Sequence, residues 1–486
     1  MPSPRKLRHR IRRAIAALAV SAAYGAPAAP FDIETLQGAL ASVQQRHHIA
    51  GYALAIVDRQ GPVFLGGGGV ARREGAVPVD ADTVWRVGSI TKVFTGIATI
   101  IAAREQGYAL DAPVRSLVPD APFENPWEAT DPVRVAQLME HTAGFLDLSK
   151  REFDSSDPSP LSLAQAFAVN PASRIVQWPP GRFISYTNTG AGIASLVIEK
   201  ATGQRYEDFV RTRILDPLGM THSGYFLDEP TRSHLAGGYD KDGVTPIPYW
   251  HTIYRAFGGL NVTVADMARF LHWMLVPERK AILSSTELAR LETPGTTLSA
   301  RAGLEYGYAM GIYHYVHDGV PWKGHGGDAD GYLSRFGVVR QAGIAYFIVI
   351  NAFNGDAMEE MQTLIERELT KHVERAPIPP VARLTREELC ALEGRYEAVT
   401  RRFTWAGDAD DPVLNFRVEG DHLIAATPLG REKHYYPVTR RHFRRDNEPV
   451  PTSAFVEDAD GALVFQGDMG NLKRPPLEPA ASCRNR

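Results

Sequence analysis

Ser89 and Lys92 stand three residues apart in V-G-S-I-T-K, at the mouth of an apolar run that extends to Ala103. The run predicts a buried helix, so the hydroxyl and the amine would be neighbours on one face of its first turn. A serine hydroxyl becomes nucleophilic when a nearby base removes its proton, and a desolvated lysine amine can be that base. The alternative is a helix-capping serine followed by a surface lysine, since S-x-x-K also occurs at Ser3.

A tyrosine and an asparagine directly precede another predicted helix. Tyr186 and Asn188 belong to the only Y-x-N of the chain, shortly after P-P-G. A neighbouring Lys92 ammonium would favour the Tyr186 phenolate, so that the two side chains share the role of base. The alternative is that Asn188 only caps its helix and that Tyr186 is a half-buried aromatic residue.

A third polar segment, G-H-G-G-D-A-D-G-Y, lies between two predicted strands and contains His325, Gly326, Gly327 and Asp328. Glycines let a substrate lie close against a strand edge, and the Asp328 N–H would join that of Ser89 as an oxyanion hole. His325 with the nearby aspartates can also be interpreted as a metal site. No second histidine stands at ligand spacing on the same element, so we predict no metal.

Periodicity and turn signals indicate the elements that must position these residues. Before Ser89 we predict a helix and a hairpin, at Ile33 to His48, Tyr52 to Val57 and Val63 to Leu65. The middle of the chain predicts helices at Ile90 to Gln106, Val133 to Glu140, Leu163 to Val169, Thr189 to Ala201, Tyr206 to Ile214 and Ala265 to Leu275. Three strands and a helix follow, at Tyr308 to Tyr315, Leu333 to Arg340, Ile344 to Asn351 and Asp356 to His372. This order predicts an α+β fold, in which one antiparallel sheet is flanked by helices and a helical lobe, about 86–298, is inserted.

A stiff A-P-I-P-P segment marks a domain boundary. We therefore predict a catalytic domain at 31–374, a linker at 375–382 and a C-terminal domain at 383–486. Short strand-like runs in that last part, at Val413 to Val418, His422 to Ala426, His434 to Pro437 and Leu463 to Gln466, predict a small all-β barrel or sandwich. It shows no catalytic motif, so we expect a structural or substrate-gating role, or else an appended binding module.

The N-terminus combines a basic stretch, a short apolar run and A-P-A, which predicts a signal peptide at 1–28. Export by the general secretory or the twin-arginine route then places the protein in the periplasm or outside the cell. No other stretch is apolar and long enough to cross a membrane, so no transmembrane segment is expected in the mature chain.

The net charge of −3 gives no electrostatic case for nucleic acid and leaves a small-molecule or peptide substrate as the expected partner. Two cysteines, Cys390 and Cys483, are too few for a zinc framework, and they either pair or remain thiols. No cofactor is predicted, and the oligomeric state is left open.

Five motifs occur in an order that resembles the serine β-lactamase and penicillin-binding-protein superfamily. They are V-G-S-I-T-K, L-M-E-H-T-A-G from Leu138, P-P-G-R-F-I-S-Y-T-N from Pro179, G-G-L-N-V-T-V-A-D-M-A-R-F from Gly258 and G-H-G-G from Gly324. Over about 31–373 the chain looks most like the class C-like serine hydrolases, which include D-aminopeptidases, D,D-carboxypeptidases and carboxylesterases. The C-terminal region resembles the lipocalin-like domains appended to some of them.

The resemblance implies that Ser89 forms the acyl-enzyme while Lys92 and Tyr186 move the proton. It implies that Asn188 holds Lys92 and the substrate amide, and that the Ser89 and Asp328 N–H groups bind the oxyanion.

One motif departs from the superfamily pattern. Where efficient β-lactamases have Lys-Thr/Ser-Gly, this chain has His325 and Gly326, so a substrate carboxylate loses its usual partners. We therefore expect an exported serine hydrolase of esters or D-amino-acid amides, with at most weak β-lactam hydrolysis. The alternatives are a D,D-carboxypeptidase or β-lactamase proper, and a non-catalytic sensor of cell-wall fragments.

Overall fold

A computed structural model describes residues 31–153, 159–229, 231–403, 413–426, 431–467 and 470–474. The predicted signal peptide at 1–28 lies outside the described residues. Cys390 takes part in a disulfide bond, whereas Cys483 also lies outside the described part.

The first described element is a helix that packs on one face of the main sheet, and a hairpin follows it. These elements are α1 (Ile33–Arg46), β1 (Gly51–Asp58), β2 (Pro62–Arg72), β3 (Val77–Pro78) and β4 (Val84–Arg86). Asp32 caps α1, because its side chain accepts a hydrogen bond from the Thr35 N–H.

A helical lobe follows, as predicted. It contains α2 (Thr91–Gln106), α3 (Val114–Leu117), α4 (Val135–Met139), α5 (Lys150–Phe153), α6 (Leu163–Val169), α7 (Thr189–Thr202), α8 (Tyr206–Val210), α9 (Asp216–Leu218), α10 (Thr231–His234), β5 (Gly238–Tyr239), β6 (Pro246–Ile247), α11 (Arg255–Gly258), β7 (Asn261–Thr263), α12 (Val264–Leu275), α13 (Ser285–Glu292) and α14 (Leu298–Arg301). The single helix predicted for Tyr206 to Ile214 is instead α8 followed by a π-helical turn, Arg211–Leu215.

The chain then returns to the sheet through β8 (Tyr313–His317), β9 (Val320–Ala329), β10 (Tyr332–Val339) and β11 (Ile344–Ile350), and ends the domain with α15 (Gly355–Thr370). The sheet is antiparallel in the order β3-β2-β1-β11-β10-β9-β8, so the two ends of the domain meet where β1 pairs with β11.

Both faces of the sheet are buried, which explains why β1 and β11 read as continuous apolar runs. Ala53 and Phe347 face the helical lobe, with α2 and α12 in the same core. Leu54 and Ile348 face the opposite side, where α1 and α15 cover them. The sheet therefore forms the middle of three layers, and the predicted α+β fold with its inserted helical lobe is confirmed.

The strand predictions were wrong mainly at segments that contain glycines. The sequence placed His325 between strands, but it lies inside β9, whose sequence V-P-W-K-G-H-G-G-D-A is poor in strand formers. The strand predicted at Tyr308 to Tyr315 starts only at Tyr313, because Gly311 has a φ of +89° and packs against the Lys92 carbonyl. In β2 the glycine run continues the strand well past Leu65.

The C-terminal domain is a closed antiparallel barrel, which confirms the predicted all-β domain. A short helix, α16 (Arg386–Cys390), precedes β12 (Gly394–Ala398), β13 (Val413–Glu419), β14 (His422–Ala426), β15 (Glu432–Pro437), β16 (His442–Arg444), β17 (Ser453–Glu457), β18 (Leu463–Gln466) and β19 (Asn471–Arg474). Its interior is filled mainly by aromatic side chains such as Tyr396, Phe416 and Phe455. Residues 374–385 have neither helix nor strand, and the linker boundaries remain a prediction.

No helix within the described ranges combines the length and the apolar character needed to span a bilayer.

Candidate active site

Ser89 lies in a single 3₁₀ turn, Gly88–Ile90, that leads directly into α2. The Lys92 Nζ lies 3.0 Å from the Ser89 Oγ and donates a hydrogen bond to the Phe257 carbonyl oxygen, also at 3.0 Å. The lysine side chain is completely buried. The hydroxyl and the amine are therefore neighbours, as predicted, and the Phe257 carbonyl is a further partner of Lys92 that the sequence did not reveal.

The surroundings of Lys92 favour a neutral amine. Burial lowers the pKa of Lys92 well below its ordinary value, and the Arg402 guanidinium lowers it further, while the Asp147 and Asp328 carboxylates partly oppose the shift. A neutral amine has a free lone pair. At 3.0 Å from the Ser89 Oγ, that lone pair can accept the hydroxyl proton.

Tyr186 also contacts the nucleophile, but in the protonated form. Its phenol lies near enough to the Ser89 hydroxyl for that group to lower its pKa, and its ring centroid lies 4.9 Å from the Lys92 Nζ. Burial raises the pKa of Tyr186, and the Ser89 hydroxyl offsets only part of that rise. The phenolate expected from the sequence was therefore wrong, because desolvation outweighs the nearby cation and the amine itself is neutral.

Asn188 is held by an aspartate that the sequence analysis missed. The Asn188 backbone N–H donates to the Asp147 Oδ1 at 2.7 Å, and its Nδ2 lies 3.4 Å from the Asp147 Oδ2. Its Oδ1 is buried without a hydrogen-bond partner. The expected hydrogen bond to Lys92 is absent between these two described side chains, so the amide oxygen is an unused acceptor at the cavity wall.

His141, from the L-M-E-H-T-A-G motif, clamps the segment that carries Tyr186. Its Nδ1 accepts a hydrogen bond from the Thr187 N–H at 3.2 Å, and its carbonyl accepts one from the Ser185 N–H at 2.8 Å. Its ring packs against those of Tyr186 and Tyr308, with centroids 4.2 and 4.3 Å away. Burial lowers the pKa of His141 well below its ordinary value, so the ring stays neutral between them.

His325 is engaged within the protein on both ring nitrogens. Its Nδ1 donates to the Gly326 carbonyl, and its Nε2 lies 2.7 Å from the Tyr308 hydroxyl. Burial, with a smaller contribution from Lys92, lowers the pKa of His325 to about 3, so the ring is neutral and Tyr308 donates to the Nε2. Because both ring nitrogens are engaged, the contact expected between the substrate and His325 stays a prediction only for the backbone atoms of His325.

The free edge of β9 faces the turn that carries the nucleophile. Strand β8 pairs with β9 only as far as Gly324, so the backbone of Gly326, Gly327 and Asp328 has no β8 neighbour. A Cβ on Gly88, which has a φ of +50°, would lie 2.8 Å from the Asp328 nitrogen. The two backbones are thus close enough for the Asp328 and Ser89 N–H groups to converge on one substrate oxygen.

We expect Gly327→Ala to lower kcat/KM about 100-fold. The new methyl group would lie 1.8 Å from the Val87 carbonyl oxygen, so β9 must move away from the Ser89 turn. Steady-state kinetics with a chromogenic ester would measure the loss, and circular dichroism would show whether the fold persists. Gly38→Ala is the matched control, because a Cβ at that helical position meets open space; equal losses in both variants would contradict the close-approach explanation.

The C-terminal barrel supplies one wall of the site. The Arg402 Nε donates to the Asp147 Oδ2 at 2.9 Å, the Arg402 carbonyl accepts from the Asp147 N–H at 2.8 Å, and the guanidinium lies 4.7 Å from the Tyr186 ring centroid. Asp147 is fully buried, whereas the Arg402 side chain is 46% exposed. Thr400 and Phe403 join Ser89 and Tyr186 in lining a cavity of about 920 Å³.

We expect Arg402→Met to lower kcat/KM about tenfold and to move the acidic limb of its pH profile to higher pH. The Arg402 charge disfavours the ammonium form of Lys92, so its removal raises the pKa of Lys92 and more of the enzyme is protonated at a given pH. Arg402→Lys keeps the charge and should restore the profile. A uniform loss of rate without a shift of the limb would indicate that Arg402 acts only through packing.

Among the described residues, no group of three or more histidine, cysteine, aspartate or glutamate side chains is arranged to hold a metal ion.

A neutral lysine amine facing the hydroxyl of a helix-initiating serine, in a groove between an antiparallel sheet and a helical lobe, defines the class of active-site-serine hydrolases. A family model described as Beta-lactamase matches residues 36–370, and the chain belongs to this family. The recognition from the five motifs is thereby confirmed.

Relatives and solved structures agree with this family. The chain is 29% identical over 389 residues to penicillin-binding protein 4 of Amycolatopsis lactamdurans, a match that covers 76% of this chain and 98% of the relative. The octameric penicillin-binding protein homologue from Pyrococcus abyssi superposes with a TM-score of 0.60 at 23% identity, over 91% of this chain and 100% of the other. The D-amino acid amidase from Ochrobactrum anthropi SV3 gives 0.57 at 22% identity, over 70% and 99%. At these identities the two structures support the fold.

Proposed function

We propose that this protein is an exported hydrolase that forms an acyl-enzyme at Ser89 and cleaves an ester or a D-amino-acid amide. The observation that carries the proposal is the fully buried Lys92 amine, 3.0 Å from the serine oxygen, whose pKa is lowered by burial. A neutral amine placed there is a general base, and a capping serine followed by a surface lysine would not have this geometry.

The proton pathway is proposed from the three neighbouring groups Ser89, Lys92 and Tyr186. The Ser89 Oγ attacks the substrate carbonyl carbon while Lys92 accepts the hydroxyl proton, and the carbonyl oxygen becomes an oxyanion between the Ser89 and Asp328 N–H groups. Tyr186, still a phenol, donates its proton to the leaving oxygen or nitrogen and is reprotonated by the Lys92 ammonium. A water molecule then attacks the acyl carbon while the neutral amine takes one of its protons, the bond from the acyl carbon to the Ser89 Oγ breaks, and Lys92 returns the proton to that oxygen.

The substrate class is proposed from what the pocket offers. Asn188 presents an unpartnered amide oxygen, which suits the N–H of an acyl-amino substrate. His325 is neutral and engaged on both nitrogens, so it does not replace the cation of a Lys-Thr/Ser-Gly motif. Weak β-lactam hydrolysis follows from this, and the D-amino acid amidase among the structural neighbours supports the amide branch.

Export is proposed from the N-terminal sequence alone. The basic stretch, the short apolar run and A-P-A support cleavage near residue 28 and release into the periplasm or the medium. N-terminal sequencing of protein recovered from the periplasmic fraction tests this part separately.

A substrate panel tests the activity. Purified protein is assayed with p-nitrophenyl esters, D-alanine p-nitroanilide with its L enantiomer as control, and nitrocefin, each also with Ser89→Ala. We expect turnover of an ester or of the D-anilide that Ser89→Ala abolishes, and slow or no turnover of nitrocefin. Turnover of nitrocefin faster than of both other classes would favour a β-lactamase proper, and no turnover with no serine adduct would favour a non-catalytic sensor.

A further inference from the structure

Arg86 is a buried cation in the wall of the active-site cavity with no carboxylate partner. It ends β4, three residues before the nucleophile, and is only 4% exposed. Its Nη1 is buried without a hydrogen-bond partner, and its Nη2 reaches only the Thr252 Oγ1, at 3.5 Å. Leaving a guanidinium N–H buried and unpaired costs free energy, so a chain that keeps one here has a use for it.

The other cations of the described cavity wall are already paired or solvated. Arg335 pairs with Asp328 at 3.0 Å, and Arg402 pairs with Asp147 at 2.9 Å. Lys150 is exposed to solvent, and Lys92, behind the nucleophile, is kept neutral because burial lowers its pKa. Of the cations in this described wall, Arg86 is therefore the one that is both buried and without an acidic partner.

Aromatic rings pack against the Arg86 guanidinium. Its Cζ lies 4.6 Å from the ring centroid of Tyr249 and 5.9 Å from that of Trp250. A ring that packs on the face of a guanidinium leaves its N–H groups, which lie in the plane, able to bind a planar acceptor. A carboxylate has two oxygens in one plane and matches that fork.

We propose that Arg86 forms a subsite for a carboxylate carried by the substrate, a few bonds away from the carbonyl that Ser89 attacks. The inference rests on the proposed acyl-transfer function and adds a substrate class to it, namely esters or amides of acids that bear a second, ionised carboxyl group. Three residues of chain separate Arg86 from Ser89, so their Cα atoms are at most about 11 Å apart. Both side chains line the same cavity, so the Arg86 side chain and an acyl chain of a few methylene groups can together bridge that distance.

Two esters that differ at one end test the subsite. The p-nitrophenyl monoester of glutaric acid and p-nitrophenyl pentanoate have acyl chains of equal length and end in a carboxylate and a methyl group. We expect the wild-type protein to prefer the glutarate ester about tenfold or more in kcat/KM. In Arg86→Met the ratio of the two values should fall to about one or below, whereas Arg86→Lys should keep part of it. Arg213→Met, at a half-buried arginine that pairs with Glu105 away from the cavity, is the matched control and should keep the ratio.

Binding without turnover gives an independent readout. Calorimetry with monomethyl glutarate and the Ser89→Ala protein should detect an affinity that Arg86→Met on the same background lowers about tenfold or more. A wild-type ratio near one, or an unchanged ratio in Arg86→Met, would overturn the subsite and assign Arg86 to holding Tyr249 and Trp250. Turnover of pentanoate with no preference for glutarate would refute the subsite while leaving the proposed function in place.

Discussion

Ser89→Ala should lower kcat/KM for any hydrolysed ester or amide by about 10⁴-fold or more and should abolish labelling by a fluorophosphonate probe. The Ser89 Oγ is the atom that Lys92 and Tyr186 both reach, so no neighbouring hydroxyl can replace it as the nucleophile. Progress curves on a chromogenic ester measure the kinetic loss, and mass spectrometry of the labelled protein locates the adduct.

The matched control for this variant is Ser42→Ala, at an exposed serine of α1 that bonds only the carbonyl of its own helix turn. It should keep both turnover and labelling. Ser89→Ala removes one oxygen from a half-buried turn, so its thermal stability should stay near that of the wild type. Residual labelling of a different serine in Ser89→Ala, together with preserved turnover, would place the nucleophile elsewhere.

Lys92→Met should lower kcat/KM by about 10² to 10⁴-fold, because it removes the general base and keeps the volume of the side chain. In the wild type, kcat/KM should rise with pH as Lys92 loses its proton, and the acidic limb should lie far below the ordinary range of lysine, since burial lowers this pKa. The variant should lack that limb. A pH series of kcat/KM values for both proteins measures the difference.

The buried Lys92 amine should also make the free energy of unfolding depend on pH. In the unfolded chain Lys92 binds a proton below about pH 10.4, whereas in the folded chain its lowered pKa keeps it neutral over part of that range. Between the two pKa values the unfolded state binds more protons, so the free energy of unfolding should rise with pH by up to about 1.4 kcal/mol per pH unit. Below the folded pKa the penalty of the buried amine is present in full.

Urea unfolding at a series of pH values checks this linkage. The difference in unfolding free energy between the wild type and Lys92→Met should increase with pH over that window, because only the wild type has the buried amine. Lys200→Met, at an exposed lysine in the last turn of α7, is the control and should show no such trend. If the plots of unfolding free energy against pH ran parallel for the wild type and Lys92→Met, the amine would be charged in the folded protein.

Local patterns predicted the parts of the fold in which neighbours in sequence decide the structure. The apolar run after Lys92 and the hairpin at β1 and β2 were found because periodicity and turn residues are local signals. Strand β9 was missed because its glycines have weak strand propensity. They are needed there by contacts that only the folded chain makes, such as the approach of Gly327 to the Val87 carbonyl.

In the candidate site, too, the residues that carry a local motif were predicted, and those that distant parts of the chain bring together were not. Ser89, Lys92 and Tyr186 carry motif signals, and the structure brings them together. Asp147 and Arg402 carry none, because they act across 255 residues of sequence and meet only when the barrel docks. The protonated state of Tyr186 could not be predicted from the sequence either, because the burial of the side chain outweighs the effect of its neighbours on its pKa.

The shape of the cavity entrance depends on how the barrel packs against the first domain. Phe183 packs with Val456 and Val464 of the barrel, and the Ile184 N–H donates to the Asn471 side chain at 2.7 Å, beside the segment that ends in Tyr186. Replacing the tip that carries Arg402 would therefore reshape the entrance of the cavity and, through the lost or altered charge, shift the pKa of Lys92, while Ser89 and Lys92 themselves stay in the other domain. Selection for new specificities at this tip would therefore also change the pH range over which the protein is active.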